Sequence, residues 1–135
     1  MNQRVLVVED NALNCELLRD WLEVEGYKVL IAENLSAAMA AVDSEQPNAV
    51  LLDIQLGSED GLALMPWMHQ RPSVRQIPVI AVTAHAMLTE RERILDSGCK
   101  TIISKPIDFK LLRNQLRLWI NGEQTLQENS VREKG

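Results

Sequence analysis

Asp53 ends the apolar run Ala49-Val50-Leu51-Leu52, and a second run, Val5-Leu6-Val7-Val8, ends in the acidic pair Glu9-Asp10. Two buried-type strands that stop on carboxylates point to one acidic pocket at the edge of a parallel sheet, because ligands there gather beyond the carboxyl ends of strands. Crowded carboxylates repel one another unless a cation joins them. Oxygen ligands alone ask for a hard divalent ion, with Mg²⁺ the expected one. Two further runs reach the same edge: Pro78-Val79-Ile80-Ala81-Val82 leads into Thr83-Ala84, and Thr101-Ile102-Ile103-Ser104 into Lys105-Pro106. A metal, an ammonium and a hydroxyl around one carboxylate suit a phosphoryl group carried on that carboxylate. The cations offset charge on the phosphoryl oxygens and the hydroxyl donates to one of them. Asp as a nucleophile forming an aspartyl phosphate is established chemistry.

Alternating strands and helices must position these groups. After the first strand, Leu13, Leu17, Leu18, Trp21 and Leu22 recur at helical spacing, and Gly26 stops that helix. Tyr27 to Ala32 reads as a second strand, and Ser36 as the N-cap of a helix that ends before Pro47. The third strand ends on Asp53, and Asp60-Gly61 leads into a helix from Leu62 to about Gln70. A fourth helix runs near Leu88 to Ser97, with Gly98 closing it, and a fifth from Asp108 to about Ile120. Five βα units with short connections predict an α/β fold with a doubly wound, five-stranded parallel sheet of order 2-1-3-4-5, flavodoxin-like, with Asp10 and Asp53 on adjacent strands. Pro66 interrupts the third helical pattern. A proline in a helix interior costs ~3 kcal/mol, so that helix is kinked or starts later than its pattern suggests.

Glu9-Asp10, Asp53, Thr83-Ala84 and Lys105-Pro106, at these strand ends and in this order, resemble the receiver domain of two-component response regulators over residues 4–121, nearly the whole chain. The resemblance implies that Asp53 is the phosphoacceptor. Asp10 and Asp53 bind Mg²⁺ directly, Glu9 acts through a metal-bound water, and the Gln55 carbonyl supplies another ligand. Lys105 pairs first with Asp53 and then with the phosphoryl oxygens, Thr83 moves toward the phosphoryl group, and small Ala84 leaves the pocket open. The Lys105-Pro106 bond is expected to be cis. Gln55 and His85, two residues after the acceptor and the Thr, are expected to rim the site and set the lifetime of the phosphorylated state. One departure is Ile102, where family members often carry Tyr or Phe. It cannot swing a ring, so the switch must rest on the loop 83–87 and the fourth helix.

The implied role is a signalling phosphoacceptor rather than an enzyme, taking phosphate from a histidine kinase or a histidine phosphotransfer protein and passing the signal by protein contact. The segment Ala81-Val82-Thr83-Ala84-His85-Ala86-Met87 also resembles receivers attached to hybrid histidine kinases. A haloacid-dehalogenase-type phosphatase would need a second Asp two residues after the first, where Gln55 stands. A phosphorylation-independent scaffold is the third reading. In the last helix, Leu112, Leu116, Trp119 and Ile120 form one apolar face, while Leu111 and Leu118 lie on another. Leu111 and Leu118 either widen the core stripe or serve a partner or homodimer surface on the fourth helix, fifth strand and fifth helix.

The bulk numbers agree. A chain of 135 residues makes one domain, expected over 1–121 with a polar, disordered tail at 122–135 too short for a helix-turn-helix. A net charge of −5 argues against a nucleic-acid surface. No run reaches the ~18 apolar residues that would span a bilayer, and the N-terminus enters a strand without a signal peptide, so a cytoplasmic location is expected. Cys15 and Cys99 lack metal or CxxC spacing and read as reduced thiols.

Overall fold

The computed structural model describes residues 3–122, so the tail expected beyond the domain lies, from residue 123 on, outside the described residues. Strand β1 (Arg4–Val8) is followed by α1 (Ala12–Val24), β2 (Lys28–Ala32), α2 (Leu35–Glu45) and β3 (Ala49–Asp53). Two short strands, β4 (Gln55–Leu56) and β5 (Glu59–Asp60), precede a 3₁₀ turn (Gly61–Ala63) and α3 (Leu64–His69). Then come β6 (Val79–Thr83), α4 (Leu88–Asp96), β7 (Thr101–Ser104) and α5 (Phe109–Asn121). The five long strands form one parallel sheet, ordered β2-β1-β3-β6-β7, which is the expected 2-1-3-4-5 order once the short β4–β5 hairpin is set aside.

Strand residues alternate between two cores, as the period of two requires. Leu6, Val8, Val50 and Leu52 face α2, α3 and α4, packing with Ala38, Val42, Leu64, Met68 and Ile94. Val5, Val7, Leu51, Ile80 and Ile103 face α1 and α5, packing with Leu18, Leu22, Leu112 and Leu116. Every residue of β3 and β6 is buried, so the middle of the sheet is apolar on both faces until Asp53 and Thr83. Trp119 and Ile120 are half-buried against the second core, while Leu111 is exposed.

Four expectations change in detail. Leu13 and Leu17 are 74% and 55% exposed, whereas Leu18 and Leu22 are buried. The helix leaves β1 at the carboxyl edge, so its first turns overhang the sheet rather than cover it. The N-cap of α2 is Asn34, not Ser36: its Oδ1 accepts from the Ala37 N–H at 2.8 Å. Tyr27 precedes β2 instead of opening it, packing on the second core. Helix α3 begins at Leu64 after the 3₁₀ turn, which puts Pro66 in its first turn. There the missing N–H is one that no intrahelical carbonyl would receive, so the proline neither kinks nor breaks the helix.

Candidate functional site

Four strand ends bring the expected residues to one edge. Lys105, just past β7, reaches back so that its Nζ donates to Asp53 Oδ2 at 3.0 Å and to Glu9 Oε1 at 3.2 Å. Glu9 and Asp53 are buried, at 3% and 6% exposure, and Asp10 is exposed at the rim. Burial opposes the Lys105 charge, but the hydrogen bond and charge of Asp53, joined by Glu9, outweigh it and hold the ammonium above the ordinary lysine range. Lys105 is therefore charged throughout the neutral range.

One carboxylate oxygen from each of Glu9, Asp10 and Asp53 lies within 4.8 Å of the others. A single ammonium faces three carboxylates here, so the cluster keeps an excess of negative charge. This hard, all-oxygen set fits a divalent cation of the Mg²⁺ or Ca²⁺ kind. The Glu9 oxygens already accept from the Asn11 N–H at 3.0 Å, Asn14 Nδ2 at 3.3 Å and Lys105. Glu9 is thus the most fully engaged of the three.

Backbone close to Asp53 is tightly specified. The Gln55 N–H donates to Asp53 Oδ1 at 3.0 Å. The loop returns through Gly61, whose N–H donates to the Ile54 carbonyl at 2.7 Å. A Cβ at position 61 would fall 2.3 Å from the Asp53 carbonyl oxygen. At Gly57, with φ +58°, the β4–β5 turn passes close to Asp10. Thr83 is buried, and its Oγ1 donates to the His85 carbonyl at 3.2 Å while accepting from the His85 N–H at 3.0 Å. Ala84 and His85 are exposed, Ile102 is packed in the core beneath α4, and the Lys105–Pro106 bond is cis.

Two cavities flank the cluster. A cleft of about 640 Å³ lies between the segment 54–60 and the β6–α4 segment, lined by Gln55, Asp60, Thr83, His85, Glu90 and Arg93. A smaller groove of about 230 Å³ runs from Glu9 and Lys105 to Leu17, Leu18, Pro106 and Phe109. Asn14, Cys15, Gly61 and the Asp60–Arg93 pair were not singled out from sequence. Cys15 donates its thiol to the Glu9 carbonyl at 3.2 Å, and burial followed by the Glu9 charge raises its pKa, so it stays protonated. Asp60 and Gly61 left a trace as an Asp-Gly turn and Cys15 as a reduced thiol, none of them tied to the site.

A doubly wound α/β domain with an acidic cluster bridged by a lysine at its carboxyl edge is the class these observations define. Residues 5–117 match the response regulator receiver domain, and the chain belongs to that family. It is 43% identical over 107 residues to the polar-differentiation response regulator DivK of Brucella anthropi, covering 79% of this chain and 87% of that protein. The DivK protein of Brucella ovis matches at 42% over 107 residues, with the same coverage. Among solved structures, the receiver domain of a sensor histidine kinase from Pseudomonas aeruginosa, with a magnesium ion coordinated in its active site cleft, is 29% identical with a TM-score of 0.82. That match covers 90% of this chain and 99% of the other. The signal receiver domain of a histidine kinase from Syntrophus aciditrophicus is 28% identical, with a TM-score of 0.81 and coverage of 89% and 91%. Membership places the chain in two-component signalling, in a family whose members are generally signalling rather than catalytic. No helix among the described residues is long and apolar enough to cross a membrane.

Proposed function

We propose that residues 1–121 form a cytoplasmic phosphoacceptor receiver that takes a phosphoryl group from a phosphohistidine protein onto Asp53. The observation that carries this reading is the Lys105 ammonium bridging Asp53 and Glu9 inside the carboxylate cluster. A carboxylate oxygen of Asp53 attacks phosphorus, the new O–P bond forms as the N–P bond breaks, and the electron pair leaves on the donor imidazole. Glu9, Asp10, Asp53 and the Gln55 carbonyl would hold Mg²⁺, which offsets negative charge on the carboxylates and the incoming phosphoryl oxygens. Lys105 moves its ammonium from the carboxylate to the phosphoryl oxygens. Thr83 donates its hydroxyl proton to one of them, which requires it to release the His85 carbonyl and so carries the change into the loop before α4.

The partner reading has its own support. Leu13 and Leu17 are exposed on α1, and Leu17 edges the groove that reaches Lys105 and Pro106. An apolar protein surface presenting a phosphohistidine finds there both a contact area and a path to the site. Signal leaves by protein contact through α4, β7 and α5, where Leu88, Leu95 and Leu111 are exposed. A second copy of the chain is one partner for that face. Ile102 supplies no swinging ring, so the output rests on Thr83 and the loop after it. Gln55 and His85, both exposed at the cleft, set how readily water reaches the acyl phosphate.

Thermal unfolding with and without Mg²⁺ and beryllofluoride tests this reading. Joint stabilisation by the two, lost in Asp53→Asn, supports a phosphoacceptor. An unfolding temperature indifferent to both favours the phosphorylation-independent scaffold.

A further inference from the structure

The cleft beside the acceptor has two walls, and among the described residues one ion pair joins them. Segment 54–60 supplies one wall, including Gln55 and Asp60, and the other comes from Thr83, His85, Glu90 and Arg93. Arg93 Nη1 reaches across from α4 to Asp60 Oδ2 at 2.9 Å, and its Nη2 is steadied by Glu90 at 2.6 Å. Asp60 is fixed on its own side because Oδ1 accepts from the Leu62 N–H at 3.0 Å. Its neighbour Glu59 accepts from the Leu35 N–H at 3.1 Å, so the hairpin is tied to α2 as well.

The far end of this bridge is the least anchored helix of the fold. Ile94 is the one buried residue of α4, and Met87 at its N-cap makes no side-chain capping bond. The first residues of the helix, Leu88 among them, are exposed. An ion pair that would be incidental between rigid elements has leverage here, because little else sets the distance from α4 to the hairpin.

Building on the phosphoacceptor reading, we propose that Asp60 and Arg93 are positioning residues. Their pair spans the cleft and sets the access of water and phosphoryl donors to Asp53. Neither side chain belongs to the acidic cluster, so they act on access and on the placement of the Gln55 and His85 side chains. An exposed ion pair shifts an equilibrium only modestly, so the expected effects are about two- to five-fold.

The test compares the full chain with Arg93→Ala and with Asp60→Asn, which keeps an oxygen for the Leu62 N–H. Amide hydrogen exchange at residues 55–62 and 88–96 reads the bridge directly, without phosphorylation. Exchange should quicken about two- to five-fold in both segments for either variant, with no further gain in the double variant. High salt should quicken the wild type toward the variants while leaving the variants unchanged. After loading with acetyl phosphate at saturating Mg²⁺, the acyl phosphate should decay faster by a similar factor in both variants. Unchanged exchange in both segments, or unchanged decay in a protein that does load, overturns the proposal. A wild type that cannot be loaded sinks the phosphoacceptor reading and with it the role in access. The exchange data then decide only whether the bridge orders the two walls.

Discussion

Asp10 illustrates how a residue can serve a site at the expense of the fold. It stands at the rim of a cluster whose carboxylate oxygens lie within 4.8 Å of one another, with one ammonium among them. At such separations two like charges repel by on the order of 1 kcal/mol even at the dielectric of water. Asp10→Asn is therefore expected to raise the unfolding free energy by a comparable amount without Mg²⁺, seen as a higher urea midpoint, while losing most of the stabilisation that added Mg²⁺ gives the wild type. A lower midpoint without metal would contradict the repulsion argument. Gly61 carries a steric constraint of the opposite kind. A methyl group there meets the Asp53 carbonyl at 2.3 Å, so Gly61→Ala must shift the acceptor backbone. Overpacking of this sort costs about 1–3 kcal/mol, and chemical denaturation together with a slower loading rate would register it. The charged and hydroxyl residues of the site were legible because each ends an apolar run. Gly61 was not, since its importance lies in a contact with backbone eight residues earlier.

Among the elements, α3 and α1 mark where periodicity stops being informative. Pro66 looked like a helix breaker because the apolar pattern begins at Leu62, but the 3₁₀ turn delays the helix to Leu64. Pro66→Ala should accordingly change stability by less than about 1 kcal/mol, far from the ~3 kcal/mol gain expected on removing an interior proline. In α1 the apolar repeat is continuous, yet only Leu18, Trp21 and Leu22 of it pack on the core while Leu13 and Leu17 stay exposed, since hydrophobic spacing does not say how far a helix overhangs its sheet. The β4–β5 hairpin had no periodic signal at all, being two residues a side around Gly57 and Ser58. Sheet order, by contrast, followed from five apolar runs and short connections.

At the scale of the whole molecule, the end of α1 is tied to α5 by Arg113, whose Nε and Nη2 donate to the two Glu25 oxygens at 2.8 and 3.1 Å. The hydrogen bond from Arg113 holds the Glu25 carboxyl below its usual range. A depressed carboxyl contributes stability above its unfolded pKa, about 4.3, and loses that contribution as pH falls through the folded value. The stability gap between wild type and Arg113→Met should be full at pH 7 and close below about pH 4. A gap constant with pH would remove the pair from the account. The two cores on opposite faces leave the carboxyl edge free to hold charge, so the sheet tolerates a cluster that an interior would not.

Intact-protein mass after incubation with Mg²⁺ and acetyl phosphate, beside an Asp53→Asn control, tests the central claim most directly. One added phosphoryl group that requires Mg²⁺ and is absent from the control is expected. A mass unchanged with the wild-type chain, or an adduct that survives Asp53→Asn, would contradict it.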